Sequence, residues 1–289
     1  MCRRRCSLSE SGNLNVMRLR VSHLKDRKQR RERFAVLTAY DATLARLLER
    51  AGVDVLLVGD SVATAVLGYD TTLPVTLDVM IHHTAAVVRG TERALVIADM
   101  PFLTYQVTPS EAVRNAGRLL KDAGAAAVKV EGGQSVIDVV RRLVDVGIPV
   151  MGHLGVLPQS VNQQSGYRQR GREGKEADLI FNDAMALQDA GAFAVVLEAI
   201  PTELAARITT ALDVPTVGIG AGPDCDGQVL VSSDLLGLHD KVPPFAKKYA
   251  NLADTIVSAA RAFVADVQAT ASDSATTRPS QARSGEPTP

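Results

Sequence analysis

Five apolar runs in this sequence end on an ionisable side chain: Val58-Gly59-Asp60-Ser61, Ile97-Ala98-Asp99-Met100, Val128-Lys129-Val130-Glu131-Gly132, Gly152-His153-Leu154 and Val196-Leu197-Glu198-Ala199. Asp, Glu and Lys are seldom buried unless they pair or bind something. One such residue reads as a helix N-cap or a surface carboxylate; five in succession read as a shared site. Asp60, Asp99 and Glu131, if brought to one mouth, repel one another unless a cation sits among them. Hard oxygen ligands in that number suit Mg²⁺, which keeps waters and takes its remaining ligands from a substrate. Zinc fits less well, because His153 is the one imidazole at these run ends and the cysteines, at positions 2, 6 and 225, lie elsewhere. Lys129 and Glu131 are two apart, so on a strand they share a face. A lysine beside a metal suits a carboxylate substrate, with Schiff-base chemistry as the alternative. Glu198 stands on another run, where a general base is needed; a structural salt bridge is its alternative reading.

The segments that position these residues alternate in type. Strands are expected at Phe34–Tyr40, Val53–Ser61, Ala94–Pro101, Ala125–Gly132, Pro149–Gly155, Ala192–Ile200, Pro215–Gly220 and Gln228–Ser232. Between them lie segments of helical period: Ala42–Ala51, Leu77–Arg89, Pro109–Ala123, Ser135–Val146, Lys175–Ala190 and Thr202–Leu212, with a last helix from about Ala246 to Gln268. Four of these helices run into a glycine, Gly52, Gly124, Gly147 or Gly191, suited to a left-handed cap. Strands that are apolar on both faces need helices outside and a packed interior inside. Eight βα units point to α/β architecture, a (β/α)8 TIM barrel over residues 20–268, with an open doubly wound sheet as the second choice. The link between the seventh and eighth strands is too short for a full helix. A barrel places its chemistry where strands end, which is where the ionisable residues fall.

The glycine-rich run Val217–Gly222 resembles a phosphate loop but is weak by itself. Residues 166–172, in a long insertion after the fifth strand, read as a mobile lid or a partner contact. His82-His83 falls in a helix and reads as surface. The basic stretch Lys25–Arg33 reads as a solvated helix ahead of the first strand, because 32 Lys and Arg balance 32 Asp and Glu over the 289 residues. Zero net charge, no Trp and 4% aromatic residues argue against a nucleic-acid platform. No apolar run approaches the roughly 20 residues that span a bilayer, so neither membrane nor export segment is expected, and three scattered cysteines fit a reducing cytoplasm. Residues 1–19 and 269–289, polar and aperiodic, are expected to be disordered tails.

Several motifs in order resemble one family. They are Leu37-Thr38-Ala39-Tyr40-Asp41, Leu57-Val58-Gly59-Asp60-Ser61, Gly68-Tyr69-Asp70-Thr71-Thr72, Val128–Gly133, Pro158-Gln159-Ser160-Val161, and Val217–Gly222 followed by Cys225-Asp226-Gly227-Gln228. The chain is similar, from about residue 20 to 268, to the ketopantoate (3-methyl-2-oxobutanoate) hydroxymethyltransferase family. The resemblance implies a Mg²⁺-dependent barrel that moves a one-carbon unit from the co-substrate 5,10-methylenetetrahydrofolate to 3-methyl-2-oxobutanoate, giving 2-dehydropantoate on the route to pantothenate and coenzyme A. It implies a metal site of Asp60, Asp99 and Glu131, and oxo-acid contacts from Asp60, Ser61, Asp99 and Lys129 with His153 close by. Glu198 is implied as the proton acceptor. It further implies a homo-oligomer, commonly a decamer, and a folate site near the insertion and the glycine-rich run. The chain departs from the family pattern at Leu103-Thr104-Tyr105, where Gly-Ser-Tyr is expected, so the loop beside the metal is expected to pack differently. A Mg²⁺-dependent lyase or mutase of 2-oxo acids is the competing reading. It calls for a loop cysteine, which Cys225 is poorly placed to supply.

Overall fold

A computed structural model describes residues 18–239 and 242–276. The chain divides into two compact units, one ending at Ser232 and one beginning at Ser233. In the first, eight parallel strands close into a barrel in chain order. They are β1 (Phe34–Thr38), β2 (Val55–Val58), β3 (Leu95–Asp99), β4 (Ala127–Glu131), β5 (Val150–Gly155), β6 (Ala194–Glu198), β7 (Thr216–Ile219) and β8 (Gly227–Leu230). The helices are α1 (Val21–Arg30), α2 (Ala42–Arg50), α3 (Val62–Ala65), α4 (Leu77–Arg89), α5 (Pro109–Lys121), α6 (Ile137–Asp145), α7 (Val161–Gln164), α8 (Gly174–Asp189), α9 (Thr202–Ala211), α10 (Ser232–Leu236) and α11 (Leu252–Thr276). Closure is made by β1 against β8, with Phe34 opposite Gly227 and Leu37 opposite Leu230, which rules out the open sheet. No helix forms between β7 and β8, as the short link requires.

Local chemistry sets the helix ends. Asp41 accepts hydrogen bonds from the Thr43 and Leu44 N–H groups at the start of α2. Thr108 caps α5 by accepting from Glu111 N–H, and Pro109 needs no intrahelical donor there. The glycines after α2, α5, α6 and α8 all take positive φ, from 82° to 94°, as the cap pattern predicts.

The strands divide two cores by parity. Residues such as Val36, Leu57, Ile97, Met151 and Val196 point inward and fill the barrel interior, while their neighbours, such as Leu56, Val96 and Val128, meet the helices. Ala112, Ala116 and Leu119 of α5, spaced four and three apart, are fully buried in that outer layer. Burying a side chain the size of Ile97 contributes roughly 1.5–3 kcal/mol.

The basic segment is helical through Arg30, but it is not simply solvated. Leu24 on α1 is 0% exposed and joins the barrel-interior cluster, so α1 closes the end of the barrel where the strands begin. Arg27 pairs with Asp54 at 2.7 Å and Lys28 with Asp226 at 2.8 Å. His82 is exposed as expected, whereas His83 is half-buried with Nδ1 2.7 Å from Tyr40 O.

In the second unit, α11 begins at Leu252 rather than near Ala246. Asn251, just before it, donates from its side chain to Asp254, and its carbonyl accepts from the Thr255 hydroxyl. The helix continues to Thr276, into the expected C-terminal tail. In the expected N-terminal tail, Arg18 donates to Thr91 O and Leu19 N–H to Arg93 O. Residues 1–17 and 277–289 of the tails, with Cys2 and Cys6, lie outside the described residues. Among those described, no helix is long and apolar enough to cross a membrane.

Candidate active site

Register carries the inward parity upward from the apolar interior to the strand ends. On β3 the series Leu95, Ile97 ends at Asp99; on β4, Ala127 is followed by Lys129 and Glu131; on β5, Met151 is followed by His153; on β6, Ala194 and Val196 lead to Glu198. Parallel pairing then sets Asp99 opposite Lys129, Glu131 opposite His153, and Glu198 opposite Gly155. Lys129 and Glu131 therefore share a face, as two-residue spacing demands. Any side chain at Gly155 would place its Cβ 2.1 Å from Glu198 O, and its φ is +97°, so the backbone needs glycine to bring β5 this close to Glu198.

β2 differs from expectation: it stops at Val58, leaving Asp60 and Ser61 in the turn before α3. That turn still delivers Asp60 to the cluster. Its N–H donates to Asp99 Oδ2 at 3.1 Å, and a Cβ on Gly59 would stand 2.6 Å from Ser61 Oγ. Ser61 Oγ and the Tyr40 hydroxyl share a hydrogen bond of 2.9 Å.

Every expected site residue thus meets the others at one end of the barrel. Lys129 Nζ lies 3.2 Å from Asp99 Oδ2, 3.8 Å from Glu131 Oε1 and 3.2 Å from His153 Nδ1. His153 Nδ1 is 3.3 Å from Glu131 Oε1, while its Nε2 lies 3.1 Å from Glu198 Oε2 without aligning a hydrogen bond to it. The salt-bridge alternative for Glu198 is therefore present as this contact. The side chains of Asp99, Glu131 and Lys129 are at most 5% exposed, whereas that of Glu198 is 18% exposed and can be reached from outside.

Burial first, and then the charges of Asp99 and Glu131, push Asp60 up to about 8. Burial also raises Asp99, with Lys129 opposing it. Burial would raise Glu131 too, but its close contact with His153, the Lys129 charge and the Gln159 N–H outweigh that and hold it low. Burial and Lys129 work against the charged form of His153, yet Glu131 and Glu198 lift it to about 9. Burial disfavours the Lys129 ammonium, and the charges of Asp99, Glu131 and Asp60 more than restore it, raising its pKa.

Two residues without an assigned role in the sequence reading belong to this network. Gln159, 5% exposed, donates from Nε2 to Asp60 Oδ2 and to Met100 O, both at 2.9 Å. Tyr105 is 0% exposed; its hydroxyl donates to Gln159 Oε1 at 2.8 Å and accepts from Glu131 N–H at 3.0 Å. The departure from Gly-Ser-Tyr leaves Tyr105 in this place. Leu103 takes φ 62°, a left-handed conformation that glycine adopts more easily, with its side chain 54% exposed. The insertion also reaches the site: Arg170 N–H donates to Ala199 O at 3.0 Å. Burial, then the charges of Glu198, Asp60 and Glu131, raise the Tyr167 phenol. Cys225 is 1% exposed and burial pushes its thiol up, so it is not an activated nucleophile.

Four carboxylates, Asp60, Asp99, Glu131 and Glu198, face one lysine and one histidine. Among the described residues no three His, Cys, Asp or Glu side chains are gathered into a ready ligand set. The donors nevertheless fit a hard cation. Asp99 Oδ1 and Glu131 Oε1 are buried without a hydrogen bond, and hard carboxylate oxygens gathered out of water are the donors such an ion takes.

A closed parallel barrel with its buried acids, lysine and histidine at the strands' carboxyl ends has the layout of a (β/α)8 enzyme. Its neighbours among solved structures have the same fold. They include phosphoenolpyruvate phosphomutase from Streptomyces platensis subsp. rosaceus (TM-score 0.58, 16% identity, 87% of this chain and 88% of that one). Another is 2,3-dimethylmalate lyase, a PEP mutase/isocitrate lyase superfamily member (TM-score 0.55, 19% identity, 86% and 98%). The sequence relatives are far nearer. A 3-methyl-2-oxobutanoate hydroxymethyltransferase of Moorella thermoacetica is 56% identical over 252 residues, 87% of this chain and 94% of that protein. One of Synechocystis sp. is 54% identical over 253 residues, 87% and 97%. A family model described as ketopantoate hydroxymethyltransferase matches residues 18–272. The chain belongs to the ketopantoate hydroxymethyltransferase family.

Proposed function

We propose that this chain transfers a hydroxymethyl group from 5,10-methylenetetrahydrofolate to 3-methyl-2-oxobutanoate, forming 2-dehydropantoate for pantothenate and coenzyme A synthesis. The observation that carries the reading is the surplus of buried carboxylate over Lys129 and His153, beside a Glu198 that substrate can reach. Asp60, Asp99 and Glu131 would hold Mg²⁺, which when bound polarises a keto oxygen and acidifies the neighbouring C–H. Asp60, Ser61, Asp99 and Lys129 bind the oxo acid, with His153 beside it. The Lys129 ammonium offsets the substrate's carboxylate charge.

Glu198 takes the proton from C3 of the oxo acid as general base. His153 Nε2 stands 3.1 Å from Glu198 Oε2, so its positive charge favours the ionised carboxylate that a base needs. The electron pair left at C3 forms the new C–C bond to the methylene carbon as one C–N bond of the folate breaks; water then supplies the hydroxyl oxygen as the second C–N bond breaks, and the two freed nitrogens of tetrahydrofolate take the proton removed from C3 and one from that water. The folate is expected beside the insertion and the glycine-rich run, on the side where Tyr167 approaches Glu198.

The working form is a cytoplasmic homo-oligomer, a decamer on this reading. In the second unit, Phe263 (69% exposed) and Ile256 (53% exposed) on α11 offer apolar surface in support of association. A Mg²⁺-dependent assay coupling oxo-acid consumption to tetrahydrofolate formation tests the function. Product from both substrates with Mg²⁺, and none after chelation, is expected; no product with both substrates and Mg²⁺ present would overturn it. Sedimentation velocity tests the assembly, and a monomer would contradict it.

A further inference from the structure

Gln159 is held more completely than a side chain in a connecting turn needs to be. It lies on the single 3-10 turn Pro158–Ser160 after β5. Its carboxamide makes four contacts: Nε2 donates to Asp60 Oδ2 and Met100 O, and Oε1 accepts from the Tyr105 hydroxyl at 2.8 Å and from Gln106 Nε2 at 3.1 Å. Both donors and both acceptor sites are used, which fixes the orientation. Turned over, the oxygen would face a carboxylate and a carbonyl, and the NH₂ would face another NH₂. The backbone N–H of the same residue donates to Glu131 Oε2 at 3.0 Å.

One residue therefore grips one oxygen on each of two acids from separate segments, Asp60 in the turn after β2 and Glu131 at the end of β4. The third acid is gripped in the same way, since Asp99 Oδ2 accepts from Asp60 N–H and lies 3.2 Å from Lys129 Nζ. The other oxygens, Asp99 Oδ1 and Glu131 Oε1, have no aligned hydrogen bond, Glu131 Oε1 meeting only the charges of His153 at 3.3 Å and Lys129 at 3.8 Å. A neutral amide is suited to this task. A cation at Gln159 would cancel the charge that attracts a metal, and an anion would add to the repulsion. Partners of this kind, which orient ligand carboxylates, set metal affinity without touching the metal.

We infer that Gln159, itself oriented by Tyr105, is a positioning residue that holds Asp60 in place and selects which carboxylate oxygen of Glu131 is turned toward the divalent cation. This rests on the metal reading given under Proposed function. It also explains how the insertion after β5 is tied to the site, because that segment begins at the turn carrying Gln159.

The test titrates Mg²⁺ into the full-length protein by calorimetry, alongside the Mg²⁺ dependence of C3-hydrogen exchange of 3-methyl-2-oxobutanoate. Gln159→Met, close in volume and without the amide, should weaken Mg²⁺ binding roughly 10- to 100-fold. The Mg²⁺ needed for half-maximal exchange should rise in parallel, with the exchange rate recovered at saturating Mg²⁺. Tyr105→Phe should shift both in the same direction and by less. A purely structural role would lower the unfolding temperature and leave the Mg²⁺ affinity of the folded protein unchanged. Wild-type affinity in folded Gln159→Met, or in Tyr105→Phe should the first variant not fold, overturns the inference. A wild-type protein that binds no Mg²⁺ overturns the metal reading and this inference with it.

Discussion

The two ends of the barrel are closed by charged side chains in opposite ways. At the end where the strands begin, α1 inserts Leu24 into the interior, and its two ion pairs are one to one, Arg27 with Asp54 and Lys28 with Asp226, each partner 14–23% exposed. At the other end, Lys129 and His153 serve four carboxylates, three of them nearly sealed from water. The first end is balanced and complete within the chain. The second buries more acids than it has bases to pair with, and Asp60 keeps its proton up to about pH 8 in consequence; a protein bears the cost in stability of such a cluster where a ligand takes part in it.

Breaking the comparison at its most strained point has the largest effect. Lys129→Met leaves Asp99 and Glu131 without their shared cation, so urea unfolding at pH 8 should show a loss of about 3–5 kcal/mol, with activity abolished. Leu24→Ala at the opposite end should cost about 2–4 kcal/mol through an unfilled cavity while activity per folded molecule is retained. Equal loss of activity in the two variants would erase the distinction.

The acidic end also predicts a pH dependence. Asp60, pushed up to about 8, and His153, pushed up to about 9, keep protons in the fold that the unfolded chain has already released. The folded state then binds more protons, so stability falls as pH rises from about 4 to about 8 through Asp60 and from about 6.5 to about 9 through His153. Thermal unfolding of the metal-free protein should therefore occur at a lower temperature at pH 9 than at pH 6. Mg²⁺ should raise it more at pH 9, where it competes with fewer protons, and a Tm that rises with pH would contradict this. The smallest expected effect is at the balanced end: Lys28→Met, which removes one partly exposed pair, should cost about 1 kcal/mol in urea unfolding and leave activity alone.

The acidic end was legible in the sequence because an ionisable residue closing an apolar run is a local signal, and strand parity then puts Lys129 and Glu131 on one face. Barrel closure followed from the count of βα units. What stayed hidden depends on partners far away in the chain. Leu24 looks like one apolar residue in a basic helix until the barrel closes and leaves an opening for it. Gln159 belongs to a motif that carried the family resemblance, yet nothing nearby reveals that its amide reaches Asp60, 99 positions earlier. Tyr105 was noted only at a departure from the family pattern, whereas its hydroxyl orients Gln159. The end of β2 lies at Val58 rather than Ser61 because pairing with β3 stops at Ala98, a loss of partner that the residues Gly59-Asp60-Ser61 do not themselves display.

Proton removal at C3 of 3-methyl-2-oxobutanoate can be followed directly by NMR in deuterated water with Mg²⁺ and without folate. Wild-type protein should exchange that hydrogen only when Mg²⁺ is present, and Glu198→Gln should be slowed roughly 10²- to 10⁴-fold while still binding Mg²⁺ and the oxo acid. Exchange by Glu198→Gln at the wild-type rate, or cleavage of the oxo acid in place of exchange, would contradict the proposed function.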